Sequence, residues 1–233
     1  MRLLYLADIR FPMERANGIQ TVETCHALAR AGIQVDLLVR RTDGRSDARC
    51  LEFFGLTPHD YLHLRRLRTP LGRLSYLASA VTSMRSGTTD IIYTRDLLIA
   101  DVAIRLRLGH GVPVIYEAHT VASVFAEERA ANYEGGSPSS RSKLVRLDAR
   151  ERRVCTRANG VITITAGLRD SLAERHGALA PTRVVPDGCW LPTELPPRAR
   201  SPVIPTIYYT GQLYRWKGVD VAIRAMQHIE RAE

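Results

Sequence analysis

The sequence predicts an α/β fold: a Rossmann-like, doubly wound and mostly parallel sheet, followed by an incomplete second Rossmann-like unit. Three observations carry this. Short runs rich in Val, Ile, Leu and Tyr alternate with helical patterns from the first residue. Those runs are nearly continuously apolar, as strands covered on both faces are. The alternation restarts after a proline-rich segment.

Taken in order, the predicted strands are Arg2 to Ala7, Gln34 to Val39, Asp90 to Thr94, Val112 to Glu117, Gly160 to Ile164 and Arg183 to Pro186. The opening apolar run is stopped by Asp8 and Arg10 before it reaches the length of a signal sequence, so it reads as a buried strand. Helical patterns fill the intervals at Ile19 to Ala31, Leu71 to Met84, Leu97 to Leu108, Lys143 to Thr156 and Gly167 to His176. In the first of these Ile19, Val22, Leu28 and Ala29 share a face, and Gly32 follows where a left-handed cap belongs. Asn132 to Ser142 is polar and glycine-rich and reads as a loop. Pro192 to Pro205 holds five prolines and reads as a linker. Beyond it Thr206 to Thr210 reads as a strand, Gly211 to Trp216 as a turn and Lys217 to Ile229 as a helix. The expected organisation is an N-terminal domain over residues 1–195, a linker over 196–205 and the first β-α unit of a second domain over 206–233.

A chain of 233 residues, 45% hydrophobic and 24% charged, has the composition of a folded domain with a proper core. No stretch approaches the roughly 18 to 20 apolar residues that cross a bilayer, so a cytoplasmic location is expected. Cys25, Cys50, Cys155 and Cys189 are scattered without metal-ligand spacing and read as reduced structural thiols. The net charge of +9 calls for an anionic partner. Nucleic acid is disfavoured, because no aromatic residues interleave with the basic clusters. The stretch Leu64-Arg65-Arg66-Leu67-Arg68, with Leu71 to Met84 behind it, reads either as a solvated helix face or as a peripheral contact with an anionic membrane.

In a parallel sheet, ligands bind beyond the carboxyl ends of the strands, and the candidate residues are those at the strand exits. Asn17 and Gly18 sit where the first helix begins, so free N–H groups and the helix dipole favour an anion there; an ordinary turn glycine is the alternative. Arg95 and Asp96 leave the strand ending at Thr94, with a solvated loop arginine as the alternative for Arg95. Glu117 and His119 leave the strand beginning at Val112, and a neutral imidazole there can hydrogen-bond a sugar hydroxyl or only a neighbouring loop. Thr165 either faces the cleft or caps the helix that follows. Gly211, Gln212, Arg215 and Lys217 follow the late strand pattern and would set donors and positive charge around a diphosphate. Such groups act hardest on a departing diphosphate, which gains charge in the transition state.

In order and spacing these features resemble the retaining, GT-B type glycosyltransferases of family 4. The resemblance runs from Asn17-Gly18-Ile19 through Val112 to His119, Arg157 to Thr165 and Val184-Val185-Pro186-Asp187-Gly188, to Tyr209-Thr210-Gly211 and Trp216-Lys217-Gly218-Val219-Asp220. It implies two Rossmann-like domains facing a cleft, the N-terminal one mainly holding acceptor and the C-terminal one mainly holding nucleotide sugar. By that resemblance Gly18 lies near the donor phosphates, His119 near the transferred sugar and Lys217 on the diphosphate, with Asp187 in the pre-linker turn. It implies no metal, and no cofactor beyond a nucleotide-diphosphate sugar as donor substrate. Gln212 stands where the family usually has an arginine; it can donate hydrogen bonds but brings no charge, and Arg215 is at a different position. The family's glutamate-bearing donor motif would fall beyond Glu233, so this polypeptide alone is expected to be catalytically inactive or nearly so, with a missing half on another polypeptide as one explanation. The expected partners are a nucleotide sugar and a glycan, lipid-linked or small-molecule acceptor. The competing expectation is a non-catalytic carbohydrate- or nucleotide-binding module, or a subunit of a split transferase.

Overall fold

The computed structural model describes residues 1–106, 111–132, 141–188, 206–211, 213 and 217–228. Its strands are β1 (Arg2–Phe11), β2 (Gln34–Arg41), β3 (Leu62–Leu67), β4 (Ile91–Thr94), β5 (Val114–Ala118), β6 (Gly160–Thr163) and β7 (Thr182–Val184). They form one sheet in the order β3-β2-β1-β4-β5-β6-β7, with every adjacent pair parallel. The helices are α1 (Ala16–Arg30), α2 (Asp47–Glu52), α3 (Arg73–Met84), α4 (Leu97–Leu106), α5 (Ala122–Asn132), α6 (Arg141–Arg157), α7 (Ala166–His176) and α8 (Val219–Ala225).

The chain winds outward from β1 to β3, then crosses back to build β4 to β7 on the other side. Because such crossovers keep one hand, the two directions of winding put helices on opposite faces. Two cores result. On one face Leu3, Tyr5 and Ala7 of β1 and Val35, Leu37 and Val39 of β2 meet Val22, Cys25 and Ala29 of α1. On the other, Leu4 and Leu6 of β1, Ile92, Val114, Tyr116 and Val161 meet residues of α3, α4, α6 and α7. The alternation along β1 shows the period of two directly, and strands covered on both faces are apolar at every position. In β4 and β6, burial alternates residue by residue.

Electrostatics ties α4 to α6. The buried Asp101 carboxylate receives Arg153 through two hydrogen bonds of 3.1 Å, with Arg105 at 3.4 Å and Arg150 at 3.5 Å. Burial alone would raise its pKa, but these guanidinium groups outweigh it and the carboxyl is lowered.

The expectations for β1, β2 and β4 to β7 hold to within a few residues. Three do not. Leu64 to Leu67 belong to β3, an edge strand, and not to a helix. Leu62 and Leu64 pack into the first core while Arg66 reaches Asp43 at 3.5 Å and Asp47 at 2.8 Å, so mixed polarity fits a strand whose outer edge is open. Thr206 to Thr210 form no strand; all five are exposed, and a strand requires a partner to satisfy its backbone. The helix expected from Lys217 to Ile229 is α8, followed by a 3-10 turn at Met226–His228. α5 was not anticipated. The linker 196–205, residues 133–140 of the expected loop, Cys189, Gln212 and Arg215 lie outside the described residues. Cys25, Cys50 and Cys155 are free thiols and buried, and burial pushes the Cys155 pKa up to about 12.

Candidate functional site

The winding reverses between β1 and β4, and beyond their carboxyl ends lies a cavity of about 340 Å³. Leu6, Ala7, Asp8 and Ile9 of β1, Asn17 and Thr21 of α1, Arg95, Asp96, His119, Thr120 and Phe125 line it. Each arrives where a strand stops or a helix starts, which is why residues far apart in sequence share one rim.

Behind the rim is a hydrogen-bonded network. The Tyr93 hydroxyl donates to Glu117 Oε2 at 2.5 Å, and His119 Nε2 lies 2.5 Å from Glu117 Oε1. Arg95 Nη2 is 3.0 Å from His119 Nδ1, and Arg95 Nε is 3.8 Å from Glu117 Oε1. Arginine can only donate, so Nδ1 accepts and the ring proton sits on Nε2, which donates to Glu117. The imidazole is therefore the neutral Nε2–H tautomer with both nitrogens engaged. Burial alone would raise the Glu117 pKa; the bonds from His119 and Tyr93 and the Arg95 charge outweigh it and hold the carboxyl below its usual range. Burial is the main cause raising the Tyr93 hydroxyl, and its place beside the Glu117 carboxylate adds to it.

Two further Arg95 nitrogens, Nε and Nη1, are out of water with no hydrogen-bond acceptor among the described residues. A buried donor left unpaired is costly, and an oxygen entering the cavity would offset that cost. The opposite rim is built on Asp8, whose carboxylate meets Arg40 Nε at 2.8 Å and Arg73 Nε at 3.1 Å. Burial raises the Asp8 pKa despite both arginines. Arg73 continues to Asp96 at 2.7 Å, while Asp96 Oδ1 accepts the Leu98 and Ile99 N–H groups and so caps α4.

Of the residues expected from the sequence, Asn17, Arg95 and His119 line the cavity, and Glu117 supports it. Gly18 does not line it. Its N–H goes to the Arg15 carbonyl at 2.8 Å, and a Cβ there would sit 2.3 Å from Met13 Cγ and 2.8 Å from Met13 O, so close approach of the preceding loop requires glycine. Thr165 caps α7 by accepting the Leu168 N–H at 3.1 Å. Asp187 bonds Gln20 and, with Glu117 and Tyr93, lines a second hollow of about 440 Å³ between α1 and the sheet. Its carboxylate lies within 4.8 Å of the ligand-type atoms of Glu117 and His119, a spacing that could hold a cation, although Arg95 already brings positive charge to Glu117. Gly211 and Lys217 are exposed and do not line the cavity. Asp8, Arg73 and Tyr93 were missed as site residues, while Asp96 was expected only as the neighbour of Arg95 at its strand exit. Asp8 carried a signal, a carboxylate ending an apolar strand run; Arg73 carried none.

An open parallel sheet with a polar cavity at its switch point defines a Rossmann-like domain. Over residues 17–188 the chain matches the family described as "Glycosyl transferase 4-like domain", and it belongs to that family. A curated relative, D-inositol 3-phosphate glycosyltransferase of Xylanimonas cellulosilytica, is 25% identical over 91% of this chain and 55% of its own length. Sucrose-phosphate synthase from Thermosynechococcus elongatus shares the fold with a TM-score of 0.57 and 17% identity, over 79% of this chain and 47% of that one. The crystal structure of Anabaena HepE in complex with UDP-glucose matches with a TM-score of 0.52 and 17% identity, over 81% of this chain and 44% of that one. The chain thus spans about half the length of these relatives. Among the described residues, no helix is long and apolar enough to cross a membrane.

Proposed function

We propose that this chain supplies the acceptor side of a glycosyltransferase that moves a sugar from a nucleoside-diphosphate sugar to an acceptor hydroxyl with retention of anomeric configuration. The observation that carries the reading is Arg95: a guanidinium at the switch-point cavity, held by His119 and Glu117, with two nitrogens that have no hydrogen-bond acceptor among the described residues, in a chain of the glycosyltransferase 4-like family. The chemistry is electrostatic. As the sugar–diphosphate bond breaks, negative charge grows on the leaving diphosphate, and donors fixed beforehand lower the barrier. Arg95 and Asn17 in the first turn of α1 are such donors on this side, and Lys217 belongs to the donor side by resemblance. Because both His119 nitrogens are engaged, its imidazole meets a sugar hydroxyl only by giving up a contact, and exchange of the Arg95 contact couples sugar binding to release of Arg95 toward the ligand. The acceptor is a glycan, a lipid-linked or a small-molecule hydroxyl compound.

The test is calorimetric titration with a panel of nucleotide sugars, and assay of turnover, for the chain alone and with the polypeptide encoded immediately downstream. Binding with turnover in the combined sample, lost at least tenfold on Arg95→Gln, is the expected result. No binding in either sample overturns the reading and leaves a non-catalytic module.

A further inference from the structure

We propose that the turn leading into α3 docks the protein on an anionic lipid surface, with the cavity mouth facing the bilayer. The turn Thr69 to Gly72, closed by a Gly72 N–H to Thr69 O bond of 2.9 Å, carries Leu71 at its tip, 73% exposed, and Leu74 follows at 71%. Arg73 between them bonds Asp8 and Asp96 of the cavity lining, so the turn that carries these leucines adjoins the cavity. Phe125, which lines the same cavity and is 43% exposed, and Val124 beside it mark the other margin. Single exposed apolar residues are ordinary, but several around one opening are not.

Charge decides what covers them. From Arg65 to Met84 the chain carries four arginines and no acidic residue. Arg66 and Arg73 are spent on internal carboxylates. Arg65 and Arg68 are exposed, with no ion-pair partner among the described residues. Unpaired cations beside projecting leucines complement an anionic headgroup layer over an apolar interior. Glu127 and Glu128 lie a turn beyond Phe125, which centres the contact on the Arg68–Leu74 turn. The membrane contact expected from Leu64 to Arg68 thus moves from a helix face to the end of an edge strand and the turn after it.

This inference is independent of the transferase reading, because vesicle binding is scored without turnover. The full chain is co-sedimented with vesicles of phosphatidylcholine alone and of phosphatidylcholine with roughly a third phosphatidylglycerol. Binding is expected to the anionic vesicles only, weakening with salt. Arg65→Gln with Arg68→Gln should lower affinity on the order of 5-fold per arginine, about 25-fold together. Arg152→Gln with Arg157→Gln, the same charge loss at the far end of α6, should change it less than about 2-fold. Leu71→Glu with Leu74→Glu should lower it at least tenfold with unchanged circular dichroism, both sites being exposed. Equal weakening by the two arginine pairs, insensitivity to the leucine changes, or no anionic-vesicle binding overturns the proposal. Loss of self-association in the leucine variant without vesicle binding also overturns it, and assigns the turn to a second copy of the chain.

Discussion

Glu117→Gln is the sharpest probe of the site, because this carboxylate organises it without lining the cavity. It takes Tyr93 and His119 at 2.5 Å each and balances Arg95 at 3.8 Å, with only 7% of its side chain exposed. The amide keeps the shape but removes the charge and offers one acceptor oxygen where two are used. Tyr93 can turn its hydroxyl to accept from the new NH₂ group, so that bond survives. His119 cannot change tautomer without facing Arg95 with a second donor. The amide oxygen still accepts the His119 Nε2–H, so the loss is the charge assistance of the two bonds, about 1.5 to 3 kcal/mol, and part of an ion pair with a mostly buried arginine. A total of about 3 kcal/mol at pH 7 is expected, lowering Tm by about 6 to 12 °C for a chain of this size.

The pH dependence gives an independent check. The folded pKa of Glu117 lies below its ordinary 4.5, so its contribution is complete above about 4.5 and disappears as pH falls through the folded value. The gap in Tm between wild type and Glu117→Gln should therefore be constant from pH 7 to 5 and narrow toward pH 3. Scanning calorimetry across that range measures it. A variant as stable as wild type at pH 7, or a gap that does not close on acidification, would refute the assigned network.

Gly18→Ala forces a methyl group against Met13 Cγ and the Met13 carbonyl, and should cost about 1 to 3 kcal/mol in urea unfolding through displacement of the loop before α1. Thr165→Ala should cost about 1 kcal/mol as the loss of the α7 cap while leaving nucleotide-sugar affinity unchanged; a large loss of affinity would return Thr165 to the site.

Much of the frame was legible because periodicity is a local property. Leu3, Tyr5 and Ala7 against Leu4 and Leu6 already encode a strand covered on both faces, and parallel strands name in advance the edge where ligands gather. That is how Arg95 and His119 could be chosen from their place after apolar runs. β3 was obscured for the opposite reason: its arginines find Asp43 and Asp47 across space, so its polarity resembles a solvated helix until those partners are known. The expected strand from Thr206 to Thr210 shows the limit of local pattern, since a β-like run becomes a strand only by pairing within a sheet, and the seven-stranded sheet does not include it.

What the sequence by itself determined is the alternation of elements, the parallel sheet and the set of strand exits. What only the tertiary structure decided is which exits meet and in what chemical state: that Asp8 and Arg73 share a rim, that Glu117 is held ionised, that His119 carries its proton on Nε2, and that Thr165 is a cap. Hydrophobic period is written in neighbouring residues. Charge state, tautomer and unpaired donors depend on partners brought from distant strands, and only packing sets those distances.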